Sequence, residues 1–190
     1  MLFDASRTPP PAVPEVAGFE IRPLREEEYK IWGEELSPAC DFGVKDAAFW
    51  EIFRPKLLPG GILGAFEKAT GRLVASACAQ NQECGIKGGL GWVMALPEMR
   101  GKKLGAAVVA AAMNKTVEQG HPLMALLTDD FRLPAIKLYL QYNWRPWLFM
   151  EDMPQRWKKV CEELKIPPET LEDYIFLPEE EKIITGHALA

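Results

Sequence analysis

The chain has 190 residues, of which 48% are hydrophobic and 26% charged, and its 27 acidic side chains against 22 basic ones give a net charge of −5. This is the composition of one soluble domain with a sizeable core, and it disfavours a nucleic acid partner, which needs a basic face. No apolar run approaches the ~20 residues of a membrane span and the start lacks a basic-then-apolar leader, so no membrane partner and a cytoplasmic location are expected.

Taken in chain order, MLFDASRTPPPAVPEVAG reads as an extended, poorly ordered proline-rich arm over residues 1–17. Phe19 to Arg22 predicts a short strand, and Arg25 to Leu36 a helix with Ile31, Trp32 and Leu36 at helical spacing. Asp46 to Phe53 predicts a second helix, ended by Pro55. GILGAF and RLVASACA flank a short loop ending in glycine, the pattern of a hairpin. Gln80 to Gly89 reads as a turn leading into a strand from Leu90 to Leu96. A helix then puts Leu104, Val108 and Ala111 on one face and stops at Gly120. Pro122 to Thr128 predicts a buried strand, Leu133 to Tyr142 a helix with Pro134 in its first turn, Asn143 to Phe149 another strand, and Pro154 to Leu164 a last helix. The domain thus spans residues 18–166, with an acidic appendage over 167–190 and no repeat. Cys40, Cys78, Cys84 and Cys161 show no paired short spacing, so buried free thiols are expected, and neither a metal site nor a disulfide framework.

The stretch LGWVMALPEMRGKKLGAA, from Leu90, carries the most chemical information. An apolar strand passes through a proline into a basic, glycine-containing turn that opens a helix. Backbone N–H groups at a helix start have no intrahelical partner and sit at the positive end of the macrodipole, so such a turn suits a pyrophosphate. Arg100, Lys102 and Lys103 concentrate positive charge there against the acidic balance of the chain.

These residues resemble motif A of the GNAT superfamily, the Gcn5-related N-acetyltransferases: Arg or Gln, two residues, Gly, one residue, then Gly or Ala. Arg100 and Gly105 match, and Lys103 replaces the middle glycine, so that a helical Lys103 is expected with its side chain turned away or onto a phosphate. Downstream, AIKLYLQYNW resembles motif B: Ala, two residues, Leu-Tyr, three residues, Gly-Phe. Ala135, Leu138 and Tyr139 match, Asn143 stands at the glycine and Trp144 at the aromatic. Asn is the next most tolerant residue in the left-handed conformation that ends a helix. Arg132 replaces the family's asparagine.

The resemblance implies an α/β (α+β) GNAT fold: a mixed, mostly antiparallel central sheet, helices on both faces, and a V-shaped splay between the motif A strand and the next. It implies acetyl-CoA as cosubstrate, without a metal. Val93, Met94 and Ala95 would pair with the pantetheine arm, Arg100, Gly101, Lys102, Lys103, Leu104, Gly105 and Ala106 would cradle the pyrophosphate, and the N–H near Ala95 would polarise the thioester carbonyl. Tyr139 would be the proton donor to the departing thiolate, since a phenol stays protonated at neutral pH.

No general base stands out. Relatives that acetylate protein N-termini carry a glutamate where this chain has Leu127. Asp129, Asp130 and Glu83 are the base or substrate candidates; the two aspartates read equally as caps for the helix starting near Leu133, and Glu83 with Cys84 as an exposed turn. His121 and His187 fall outside any catalytic pattern. Trp32, Phe42, Trp50, Phe53, Trp144 and Trp147 offer aromatic surface for an apolar or flat amine, or core packing. The acidic balance favours a cationic amine. The expected function is acetyl transfer to a primary amine of a small molecule or peptide, with a homodimer compatible. A catalytically silent acyl-CoA-binding domain and an interaction module using the basic 100–103 turn are the other two readings.

Overall fold

GILGAF lies within β3 (Leu57–Glu67) and RLVASACA, apart from Arg72, within β4 (Leu73–Asn81), because two continuous apolar runs flank the Lys68–Arg72 turn. The computed structural model describes residues 1–82 and 85–167. The chain divides into two compact units, one formed by 10–81 with 88–122 and the other by 1–9, 82–87 and the chain from 123 onward.

In the larger unit, β2 (Phe19–Pro23), β3, β4 and β5 (Gly88–Ala95) make an antiparallel meander. Leu73 to Ala79 are all buried, so β4 is covered on both faces. Helix α4 (Leu104–Glu118) packs on β2 to β5, and the segment Trp32–Leu36 packs on β4. In β3 the register slips between Leu57 and Ile62. Gly61 permits this, because a Cβ there would lie 2.3 Å from the Ala79 carbonyl oxygen.

The helix expected over Arg25 to Leu36 is a composite. A 3-10 turn (Glu26–Glu28) runs into α1 (Tyr29–Ile31), a π-helical segment (Trp32–Leu36) and α2 (Ser37–Ala39). Pro38 has no N–H to close an α turn, and the Ser37 N–H reaches back to the Trp32 carbonyl instead. The second helix, α3 (Ala47–Phe53), starts as its sequence suggests, with Asp46 Oδ1 accepting the Phe49 N–H at 2.9 Å. Helix α4 buries more than one stripe: Ala107, Val109, Ala110 and Ala112 are buried with Leu104 and Val108, whereas Ala111 is only half-buried.

In the smaller unit, β1 (Leu2–Asp4) pairs antiparallel with β6 (Leu123–Ala125). Residues 1–17 were expected to be a poorly ordered arm, yet Met1, Leu2 and Phe3 are buried and the terminal ammonium donates to the Leu126 carbonyl at 2.7 Å. Three apolar residues before the first acid are enough to make a core strand where a partner edge exists. Leu2 joins Ile86, Ala125 and Trp147 in a small core.

The strand expected over Asn143 to Phe149 reduces to one bridge. Arg145 exchanges both backbone bonds with Leu2, at 2.7 and 2.8 Å, and Pro146 then removes the next donor. Strand β6 is likewise shorter than Pro122 to Thr128.

Helices α5 (Leu133–Gln141) and α6 (Met153–Leu164) match their sequence signals. Asn143 does adopt a left-handed φ of 62°, and the Trp144 and Asn143 N–H groups close a Schellman cap onto Tyr139 and Leu140. The mixed α/β class with mostly antiparallel strands is therefore as expected. The appendage, from 168 onward, lies outside the described residues.

Candidate functional site

Strand β5 is irregular where the sequence is unremarkable. Cys78 pairs with Gly91 and Ser76 with Met94, so Ala77 alone faces Trp92 and Val93, a β-bulge. Trp92 takes a φ of 50°, which costs on the order of 1–3 kcal/mol for a bulky residue. Its ring is held by Trp32, Phe49 and Phe53 at centroid distances of 5.8, 5.2 and 5.5 Å, each such pair contributing about 0.5–1.5 kcal/mol.

Beyond the bulge, the Leu96 N–H donates to Val74 at 3.0 Å. Antiparallel alternation then directs Met94 toward β4 and turns the backbone groups of Val93 and Ala95 away from it. Cys40 lies at that free side: burial pushes its thiol pKa up, while the Arg100 charge and the Ala95 amide both favour its thiolate.

The basic turn follows a 3-10 turn (Pro97–Met99). Gly101 has a φ of 79°. Lys103 is not helical as expected: it is left-handed, with φ 62° and ψ 10°, and occupies the N-cap of α4. A lysine has no oxygen to accept first-turn N–H groups, so this helix start has no side-chain cap. Arg100, Gly101, Lys102 and Lys103 are exposed, Gly105 and Ala106 half-buried, and Leu104 anchors the turn in the core at 1% exposure. Lys102 Nζ lies 3.3 Å from Met99 Sδ and over the Phe19 ring. A Cβ at Gly101 or Gly105 would meet nothing within 4 Å, so packing does not demand glycine at 105.

Residues 21–144 match the Acetyltransferase (GNAT) family. The chain belongs to the GNAT family of acetyltransferases. No curated protein sequence matches it. In fold it is similar to a GCN5-related N-acetyltransferase from Sphaerobacter thermophilus, at 17% identity and a TM-score of 0.56 over 75% of this chain and 45% of that one. It thus spans under half the length of that protein. It is also similar to an acetyltransferase from Trypanosoma brucei, at 22% identity and TM-score 0.50 over 67% and 93% of the two chains. A third likeness is to AAC(6')-Iy in complex with the bisubstrate analogue CoA-S-monomethyl-acetylneamine, at 17% identity and TM-score 0.52 over 67% and 91%.

Of the GNAT aromatic set expected from sequence, Trp32, Phe42, Trp50 and Phe53 share the larger unit with Trp92, and Tyr29 and Phe49 join them. Trp144 and Trp147 do not: they belong to the core of the smaller unit, against Phe3 and Phe149. Sequence reasoning missed Tyr29, Phe49, Trp92 and Lys45. The i to i+4 spacing of Phe49 and Phe53 was the available signal. Lys45 Nζ donates to the Phe42 carbonyl and sits over the Phe49 and Trp92 rings.

In the smaller unit, Tyr139 is 5% exposed and packs on Trp144, and burial pushes its pKa up to about 12, against the Arg132 charge. The aspartates do not cap α5, whose N-cap is Arg132 without a side-chain cap. Asp129 accepts from Arg132 Nε at 2.8 Å. Asp130 forms a two-point pair with Arg156, at 2.8 and 2.9 Å, which holds its carboxyl below the usual range. Leu127, at the position of the family's glutamate, is 57% exposed. Glu83 lies outside the described residues, as does Cys84; Cys40, Cys78 and Cys161 are free thiols.

Among the described residues no cluster of His, Cys, Asp or Glu could hold a metal ion, and no helix is long and apolar enough to cross a membrane.

Proposed function

We propose that this chain transfers an acetyl group from acetyl-CoA to a primary amine of a small molecule or peptide. The observation that carries this reading is the Arg100–Lys103 turn, left-handed at Gly101 and Lys103, which ends at an N-cap with no acceptor oxygen and leaves the start of α4 to an anion. The residues fit a pyrophosphate: three cations flank the turn, and Gly101 and Gly105 leave open space where a Cβ would stand.

Acetyl-CoA supplies the activated acetyl thioester. The Ala95 backbone, directed away from β4, is the proposed partner of its arm, and the Ala95 N–H, which meets the Cys40 thiol in the free protein, would exchange that contact for the thioester oxygen. The amine lone pair forms the new C–N bond, the C–S bond breaks, the nitrogen loses a proton and the thiolate gains one.

Tyr139 keeps the role that the resemblance gives it. A phenol pushed up to about 12 holds its proton across the working pH range, which lets it donate a hydrogen bond to the sulfur as charge gathers there. Asp129 and Asp130 are paired with arginines, so the reading needs an amine that arrives neutral, or water, as the base.

Among the described residues both candidate carboxylates, Asp129 and Asp130, are paired with arginines, which favours a second reading, an acyl-CoA-binding domain without turnover. Calorimetric titration with acetyl-CoA, beside a Lys102→Glu, Lys103→Glu variant and an amine panel, separates them. Binding lost in the variant, with turnover, is expected; binding without turnover on any amine supports the second reading, and a folded wild type that does not bind overturns both.

A further inference from the structure

Lys45 stands at a corner built of rings. Its backbone N–H is tied to the Gly33 carbonyl at 3.0 Å, which fixes where the side chain starts. Its Nζ lies 4.6 Å from the Trp92 ring centroid and 5.0 Å from that of Phe49, and donates to the Phe42 carbonyl. The two rings meet almost at right angles, 5.2 Å apart at 86°, so their faces form two walls around the ammonium. Both rings and Lys45 are half-buried. The strained bulge that turns the Trp92 ring into this corner immediately precedes the β5 residues directed away from β4.

Two ring faces attract a cation by its charge, whatever its substituents, and the Phe42 carbonyl adds an acceptor where the cation has an N–H. Any ammonium that reaches the corner finds the same partners that Lys45 finds. We propose that the Trp92, Phe49 and Phe42 corner is an ammonium seat for the acceptor, filled by Lys45 in the free protein and given up to the acceptor on binding.

The two ring faces favour the charged form of a nitrogen seated here, and the Asp46 charge does too, while burial works against it by lowering the Lys45 pKa. Seated as an ammonium, that nitrogen has no lone pair to attack a carbonyl, so it is not the one acetylated. The acceptor class is therefore a compound with two or more amino groups: one seated as an ammonium, another reacting as the free amine. This last step rests on the acetyl-transfer reading; the seat itself does not.

The test is calorimetric titration with tetramethylammonium, which cannot be acetylated, so its outcome is separate from that of the transfer reading. The Lys45→Met variant, its fold checked by near-UV circular dichroism, is expected to bind tetramethylammonium about tenfold more tightly than wild type, and Trp92→Leu in the same background to lose the gain. Wild type is expected to bind hexamethylenediamine about tenfold more tightly than hexylamine, a comparison that stands even if the variants do not fold. Equal tetramethylammonium affinity in folded Lys45→Met and wild type would overturn the seat, and equal diamine and monoamine affinity in wild type would overturn the acceptor class drawn from it.

Discussion

The Trp32 indole N–H donates to Ser76 Oγ at 2.9 Å, and both residues are fully buried. Ser76 is the hydroxyl residue within the buried run Leu73–Ala79 of β4, and Trp32 touches Phe49, Trp50, Phe53 and Trp92. Ser76→Ala strands a buried donor at the hub of that cluster. It is expected to cost about 1–3 kcal/mol, read as a lower urea midpoint with unchanged slope.

Glu28 is 7% exposed and accepts from Arg22 at 2.8 and 2.7 Å and from the Arg25 side chain and N–H at 2.9 and 2.8 Å. Arg22 hydrogen bonding holds its pKa far below the ordinary carboxylate value. A depressed acid contributes stability above its unfolded pKa of 4.5 and loses it as pH falls through the folded value. Glu28→Gln is expected to lose about 2 kcal/mol at pH 7 and to flatten the acid limb of the stability profile. An unchanged acid limb would contradict this.

Tyr139 predicts the opposite limb. Its phenol is held protonated in the folded chain up to about pH 12, against 10 for the reference group. The associated stability is complete below pH 10 and falls as pH rises through that window, by up to about 2.7 kcal/mol. Tyr139→Phe should remove this alkaline sensitivity in thermal scans between pH 10 and 12, while the proposed acetyl transfer falls at every pH.

Lys103 holds a conformation natural to glycine. Lys103→Gly is expected to stabilise the fold by about 1 kcal/mol by releasing the left-handed strain at φ 62°. A matching loss of stability would mean that the side chain makes contacts outweighing its backbone.

Much of this was legible in the sequence because it is local. The α5 cap at Asn143 follows from one residue tolerating a left-handed turn, and the β3–β4 hairpin from two apolar runs around a short loop. Lys103 misled because a lysine at that position looks helical, and only the turn into α4 forces it left-handed.

The proposed Arg100–Ala106 cradle came from the resemblance of this stretch to motif A and from the positive charge of its turn. Of the proposed ammonium corner the sequence offered only Phe42, since Trp92 is distant from Lys45 and Phe49 in the chain and each is ordinary alone.

By itself the sequence determined the family, the antiparallel hairpin, the anion-suited turn and the helix that carries Tyr139, all properties of neighbouring residues. Only the tertiary structure decided that Leu2–Asp4 is a core strand, that Asp130 is locked to Arg156, and that Trp92 bulges toward Lys45. Those outcomes depend on which partner reaches each group first in space, and pairing across 26 residues, or from Lys45 to Trp92, leaves no periodic trace in the chain.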